Sequence, residues 1–76
     1  MEAPQRDSPS PAKFTERERQ VLLLLWDGLT TKEIAKQLGI AFKTVTTHRQ
    51  RILKKANVRR TTHLFRYAIK NGIIQA

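Results

Sequence analysis

Side chains able to do covalent or acid–base chemistry are few and scattered in this chain. There is no cysteine, which excludes a disulfide framework and any thiolate metal site. The two serines, Ser8 and Ser10, stand in a proline-containing leader with no base near them. The two histidines, His48 and His63, are far apart, and a structural zinc site needs four ligands. No nucleophile–base pair, carboxylate pair or phosphate-cradling glycine loop is present, so the residues give no enzyme, cofactor or metal site. His48 reads better as a packing or phosphate-contacting residue.

A second kind of chemistry is concentrated instead. All six acids (Glu2, Asp7, Glu16, Glu18, Asp27, Glu33) fall within the first 33 positions, where five basic residues leave a net charge of −1. The following 43 positions hold ten Lys and Arg and no acid, a net charge of +10. Such a segment seeks a polyanion: DNA, RNA or an acidic membrane. A solvated, solubilising face would account for the charge alone.

The elements that must position these charges are helical. A chain of 76 residues, 39% of them apolar, has room for one domain with one small core. No run of 18 apolar residues and no apolar stretch behind a basic start is present, so neither a transmembrane helix nor a signal peptide is expected. Residues 1–12 hold all three prolines and no large apolar residue beyond Met1, and read as a disordered tether. Residues 13–76 then form the domain. Thr15 and Glu18 have capping-box spacing ahead of a helix carrying Val21, Leu22 and Leu25, stopped by Gly28. Thr30 and Glu33 repeat the box ahead of a short helix with Ile34, Ala35 and Leu38 on one side, ended by Gly39. A third helix is expected from about Phe42 to Ala56 and a fourth from about Thr62 to Lys70, stopped by Asn71-Gly72. The predicted fold is all-α, a compact four-helix domain. Small Ala35, the turn at Gly39, and Ile34, Leu38, Ile40 and Val45 at crossing positions make the second and third helices a helix-turn-helix.

On a helical wheel with Val45 at the origin, Ile52 and Ala56 fall within about 20°, flanked by His48 and Arg49 at roughly 60° and 40°. Lys43, Thr46, Thr47, Gln50, Arg51 and Lys54 occupy the opposite arc. Hydroxyls and an amide lie at its centre with cations around them. Thr can meet a base edge or a thymine methyl, Gln can bond adenine, and Lys and Arg hold phosphates. A merely solvated helix mixes in Asp and Glu, and this face has none.

The stretch Phe14–Ile74 resembles the LuxR-type (GerE or NarL/FixJ-type) DNA-binding domain. The resemblance is carried by FTERERQVL, GLTTKEIAKQLGI, KTVTTHRQRILKKANV and the closing AIKNGII, and the TV-x-x-H-x-x-x-I-x-x-K run makes it specific. It implies four helices, the third in the major groove and the fourth used for dimerisation. It also implies base reading by Thr46, Thr47 and Gln50, with Thr30, Thr31, Lys43, Thr44, His48 and Arg51 near phosphates. Lys54 joins the phosphate-binding set from the wheel. The chain departs from the family at Ala41, where a hydroxyl usually caps the third helix, and at Arg59-Arg60 before the fourth, where Thr61 is expected to cap instead. Thr46 is shorter than the lysine often found there, which shifts the preferred sequence.

Two apolar surfaces remain. Leu23 and Trp26 fall outside the inward arc of the first helix, either as a docking surface for an upstream domain or as ordinary scattered apolarity. On the fourth helix, Leu64, Tyr67 and Ala68 share the side suited to the core. Phe65 and Ile69 share a second side, suited to a homodimer on DNA or to covering the open end of the core. The resulting expectation is a sequence-specific double-stranded DNA-binding module acting on inverted repeats. It would be the C-terminal output domain of a bacterial response-regulator or ligand-sensing transcription factor, cytoplasmic, at the nucleoid, with RNA polymerase as a further partner. The ending near Ile74 looks like a C-terminus and the leader like a linker. A stand-alone small regulator and a sigma-factor region-4-like domain are the alternatives, and His48 and the aromatic-rich fourth helix favour the first. A protein-interaction module that no longer binds DNA is disfavoured by the acid-free face, and RNA binding by the lack of stacking aromatics on it.

Overall fold

The computed structural model describes residues 13–75, and the expected tether at 1–12 lies outside the described residues. Within them the chain forms four helices and no strand: α1 (Glu16–Trp26), α2 (Thr31–Leu38), α3 (Phe42–Lys55) and α4 (Thr61–Lys70). The first two begin as their capping boxes predict. The Glu18 amide donates to Thr15 Oγ1 at 3.1 Å, and the Thr15 amide donates to Glu18 Oε1 at 2.9 Å. Thr30 and Glu33 repeat the exchange at 3.1 and 2.8 Å. Each box satisfies two amides that a helix start leaves unpaired.

All four helices end in one way. A residue with positive φ (Gly28, Gly39, Asn57, Gly72) follows the last turn. The amide of the apolar residue after it then donates five positions back: Leu29 to the Leu24 carbonyl, Ile40 to Ala35, Val58 to Leu53 and Ile73 to Ala68, at 2.8–3.1 Å. This is the Schellman arrangement. In each case that apolar residue packs on the core, so the backbone reversal and the return of the chain to the interior are one event. Asn fills the left-handed position after α3 because its short polar side chain tolerates it better than other residues with a Cβ.

The core gathers Val21 and Leu22 of α1, Ile34 and Ala35 of α2, Val45 and Ile52 of α3, Leu64 and Ala68 of α4, with Ala56 and Ile74. Six of these are large side chains with no residual exposure. Each contributes about 1.5–3 kcal/mol of transfer free energy, which is what holds so small a domain against chain entropy. The Gly39 turn sets α2 against α3, and both lie against α1.

Two helix starts have no side-chain cap. At α3 the cap position is Ala41, as the sequence indicates, and its side chain accepts nothing. At α4 the expectation of a Thr61 cap is corrected. The cap position is Arg60, Thr61 is already the first helical residue, and no side chain accepts from that end. The extended backbone of Arg60 (φ −126°, ψ 152°) places the chain's turn one residue earlier than the Thr61 hydroxyl requires.

A Cβ added at Gly39 meets no heavy atom within 4 Å. At φ 68° the cost of Gly39→Ala is therefore the backbone's alone. It should be about 1–2 kcal/mol, as for any L-residue held in the left-handed region. At roughly 4–8 °C per kcal/mol for a domain of this size, thermal melts of Gly39→Ala should show Tm lowered by roughly 4–16 °C. An unchanged Tm contradicts the role given to this turn.

Candidate nucleic-acid interface

α3 divides its surface as its sequence period requires. Val45 and Ile52 are fully buried and Ala56 nearly so, with His48 and Arg49 half-buried at the margins. On the opposite side Lys43, Thr47, Gln50, Arg51 and Lys54 are exposed and Thr46 is half-buried. The structure thus brings the predicted base-reading and cationic residues of α3 onto one accessible face. No acid lies in α3, and Lys54 and Lys55 stand in its last turn, where the helix dipole favours cations.

The hydroxyls of the site differ in what they leave available. Thr46 Oγ1 donates to the Phe42 carbonyl at 3.2 Å, and Thr47 Oγ1 to the Lys43 carbonyl at 3.1 Å. Both protons are held by the helix's own backbone, which leaves oxygen lone pairs and methyl groups. Thr30 is the reverse. Its oxygen accepts from Glu33, so its proton remains free to donate. Thr31 is half-buried in the first turn of α2, and Thr44 is exposed in the first turn of α3. Because Ala41 offers no acceptor, amides of the first turn of α3 stay open beside Lys43 and Thr44. His48 has a buried Nδ1 with no partner. An orphaned buried N–H is costlier than an orphaned lone pair, so the ring proton belongs on Nε2, where it can be donated outward.

The sequence reading missed the tie that orients this helix. Lys55 Nζ donates to Glu18 Oε1 at 2.7 Å and to the Lys13 carbonyl at 3.1 Å. Glu18 is 2% exposed and at the same time caps α1. Burial alone would raise its carboxyl pKa. The Lys55 hydrogen bond, the Thr15 backbone N–H, the Lys55 charge and the Thr15 hydroxyl together outweigh that and hold it below its ordinary value. On the wheel Lys55 falls at about 280°, outside the outward arc. Its charge therefore serves the domain and not the open face. The two partners are 37 residues apart, so no local period marks them. The available signal was Lys55's place as the last fixed position of the family-like run. Also missed was Phe42, which is 53% exposed at the start of α3.

The second apolar side of α4 is shared out. Leu64 and Ala68 are fully buried and Tyr67 half-buried, as expected of the inward side. Phe65 is half-buried and packs on the core. Its ring meets Trp26 edge to face, centroids 5.1 Å apart and planes at 73°. Trp26 thus has a partner inside this domain, while Leu23 and Ile69 remain exposed nearby in sequence to that pair.

Comparison with known proteins gives this arrangement a context. The family described as "Bacterial regulatory proteins, luxR family" matches residues 12–68. The transcriptional regulatory protein MctR of Rhizobium johnstonii is 45% identical over 61 residues, covering 80% of this chain and 28% of that protein. The response regulator UvrY of Escherichia coli is 33% identical over 73 residues, covering 96% of this chain and 34% of its own length. The crystal structure of Escherichia coli SdiA superposes with a TM-score of 0.78 at 32% identity, covering 91% of this chain and 29% of that one. The chain spans about a third or less of each of these proteins.

The Glu18–Lys55 tie has a pH signature. A carboxyl held below its ordinary value in the folded state adds stability above the unfolded pKa, which is lost as pH falls through the folded one. Glu18→Gln should cost about 1–3 kcal/mol at neutral pH, through loss of a charged hydrogen bond. Urea melts should show the gap between the two proteins narrowing as pH falls from neutral into the acid range. A gap independent of pH contradicts the assignment.

Proposed function

The chain belongs to the luxR family of bacterial regulatory proteins, and we propose on that premise that it binds double-stranded DNA sequence-specifically as the output domain of a transcription regulator. The observation that carries the reading is the exposed, acid-free face of α3 lying opposite its buried Val45–Ile52 stripe. A helix held rigidly by one side, with hydroxyls, an amide and cations on the other, suits the major groove in both width and chemistry.

Thr46, Thr47 and Gln50 read base edges. Lys43, Arg51 and Lys54 hold phosphates, joined by Thr30, Thr31 and Thr44 at the starts of α2 and α3 and by His48 in the middle of α3. The free Thr30 proton, the open amides at the start of α3 and the outward Nε2–H of His48 are each donors of the kind that a phosphate takes. Phe65 and Ile69 pair two copies on DNA, with recognition helices about 34 Å apart, one helical turn, over inverted repeats. Ile69 is the exposed member of that pair, and Phe65 joins it through the Trp26 contact. Residues 1–12 link the domain to an upstream receiver or ligand-sensing domain, in keeping with the greater length of the relatives. The site of action is the bacterial cytoplasm, at the nucleoid, with RNA polymerase as a further contact.

Two measurements test this. If about five phosphates are neutralised, log K should fall against log salt with a slope of roughly −4 to −5, and a flat titration from low to physiological salt contradicts it. Gln50→Ala should weaken binding to the selected site by about 1–3 kcal/mol and leave random DNA little changed. Lys54→Ala should weaken both alike. Equal losses on both DNAs for Gln50→Ala contradict the base-reading role.

A further inference from the structure

We infer that Thr46 and Thr47 read the centre of the half-site as an acceptor-and-methyl surface, selecting A·T pairs through thymine methyl groups and adenine amines and disfavouring guanine opposite them. The inference rests on the DNA-binding reading above and adds which bases that face accepts. Both hydroxyl protons are held by backbone carbonyls one turn back, Phe42 at 3.2 Å and Lys43 at 3.1 Å. A threonine in this state has no donor to offer. Its oxygen can accept from an amine, and its methyl can touch another methyl. The major-groove edge of guanine presents two acceptors, which would face an oxygen with no proton to give. Adenine presents an amine and thymine a methyl group; cytosine also presents an amine but no methyl, so the thymine methyl is what separates A·T from G·C at these positions.

The neighbours reinforce the choice. Gln50 is exposed on the same face, and its amide matches the paired donor and acceptor of adenine. Phe42, one turn before Thr46, is 53% exposed and extends the apolar edge of that face. The cations able to pair with guanine, Lys43, Arg51 and Lys54, are the ones that the proposed reading gives to phosphates. Thr30 is the internal contrast: its oxygen is occupied and its proton free, which suits a phosphate and not a base amine.

The test uses the full chain. Duplexes are first selected from a random pool, and each thymine of the enriched half-site is then replaced singly by deoxyuridine, which removes the methyl group and leaves pairing intact. Expected are A·T pairs at the centre of the half-site, and a loss of about threefold to tenfold in affinity at the one or two thymines that meet Thr46 and Thr47, the worth of one buried methyl group. Thr46→Val and Thr47→Val, which keep the methyls, should retain the preference for thymine over uracil. Thr46→Ser and Thr47→Ser should lose it. A G·C-centred half-site, or binding indifferent to every thymine-to-uracil change, overturns the inference while leaving sequence-specific binding intact. Failure to enrich any duplex overturns both.

Discussion

A single buried carboxylate joins the two ends of the domain that most need joining. Glu18 closes the first turn of α1 and grips Lys55 at the last turn of α3, 2.7 Å away. Lys55 also reaches the Lys13 carbonyl, so α3 is tied to the chain just as it enters α1. Together with the Val45–Ile52 stripe, this tie fixes both the tilt and the rotation of α3. Rotation is the sensitive quantity. One residue of slip turns the helix by about 100°, which would carry lysines and arginines toward the core at a cost no domain of this size can meet. The same constraint that makes the fold unique therefore aims the cationic face outward.

Stability and function draw on different ends of the helices. At their C-terminal ends all four use one device, a left-handed residue followed by an apolar one that returns to the core. At their N-terminal ends they differ. α1 and α2 carry complete capping boxes, while α3 and α4 have no side-chain cap. Ala in place of a hydroxyl at a cap typically costs about 1 kcal/mol. At α3 that cost falls at the end nearest Lys43 and Thr44, where open amides and a helix dipole suit a phosphate. On the proposed reading, a phosphate bound there would recover what the free domain forgoes.

Most of the fold was legible because its signals are local. Thr-x-x-Glu spacing, glycine after an apolar turn and the 3.6-residue period each act within a few residues, and they placed four helices and the buried stripe of α3. What escaped was long-range or rotameric. Lys55 meets Glu18 across 37 residues, with no periodicity to announce it. Trp26 looked unpartnered on its own helix because its partner, Phe65, belongs to another. Whether a threonine offers its proton or keeps it for the backbone depends on one side-chain torsion. The sequence therefore located Thr46 and Thr47 on the outward side of α3 without saying what they present there. The start of α4 was misplaced by one residue because Arg60 gives no side-chain signal and Thr61 gives a misleading one.

The central claim is that the acid-free face of α3 is where DNA lies, and amide and side-chain NMR shifts of the domain titrated with a selected duplex test it most directly. On a duplex carrying a single half-site, the account predicts the largest perturbations at Lys43, Thr46, Thr47, Gln50, Arg51 and Lys54, smaller ones at Thr30 and Thr31, and none at Trp26 or Leu23. Perturbations centred on Leu23, Trp26 and Ile69, with the α3 face unmoved, would contradict it.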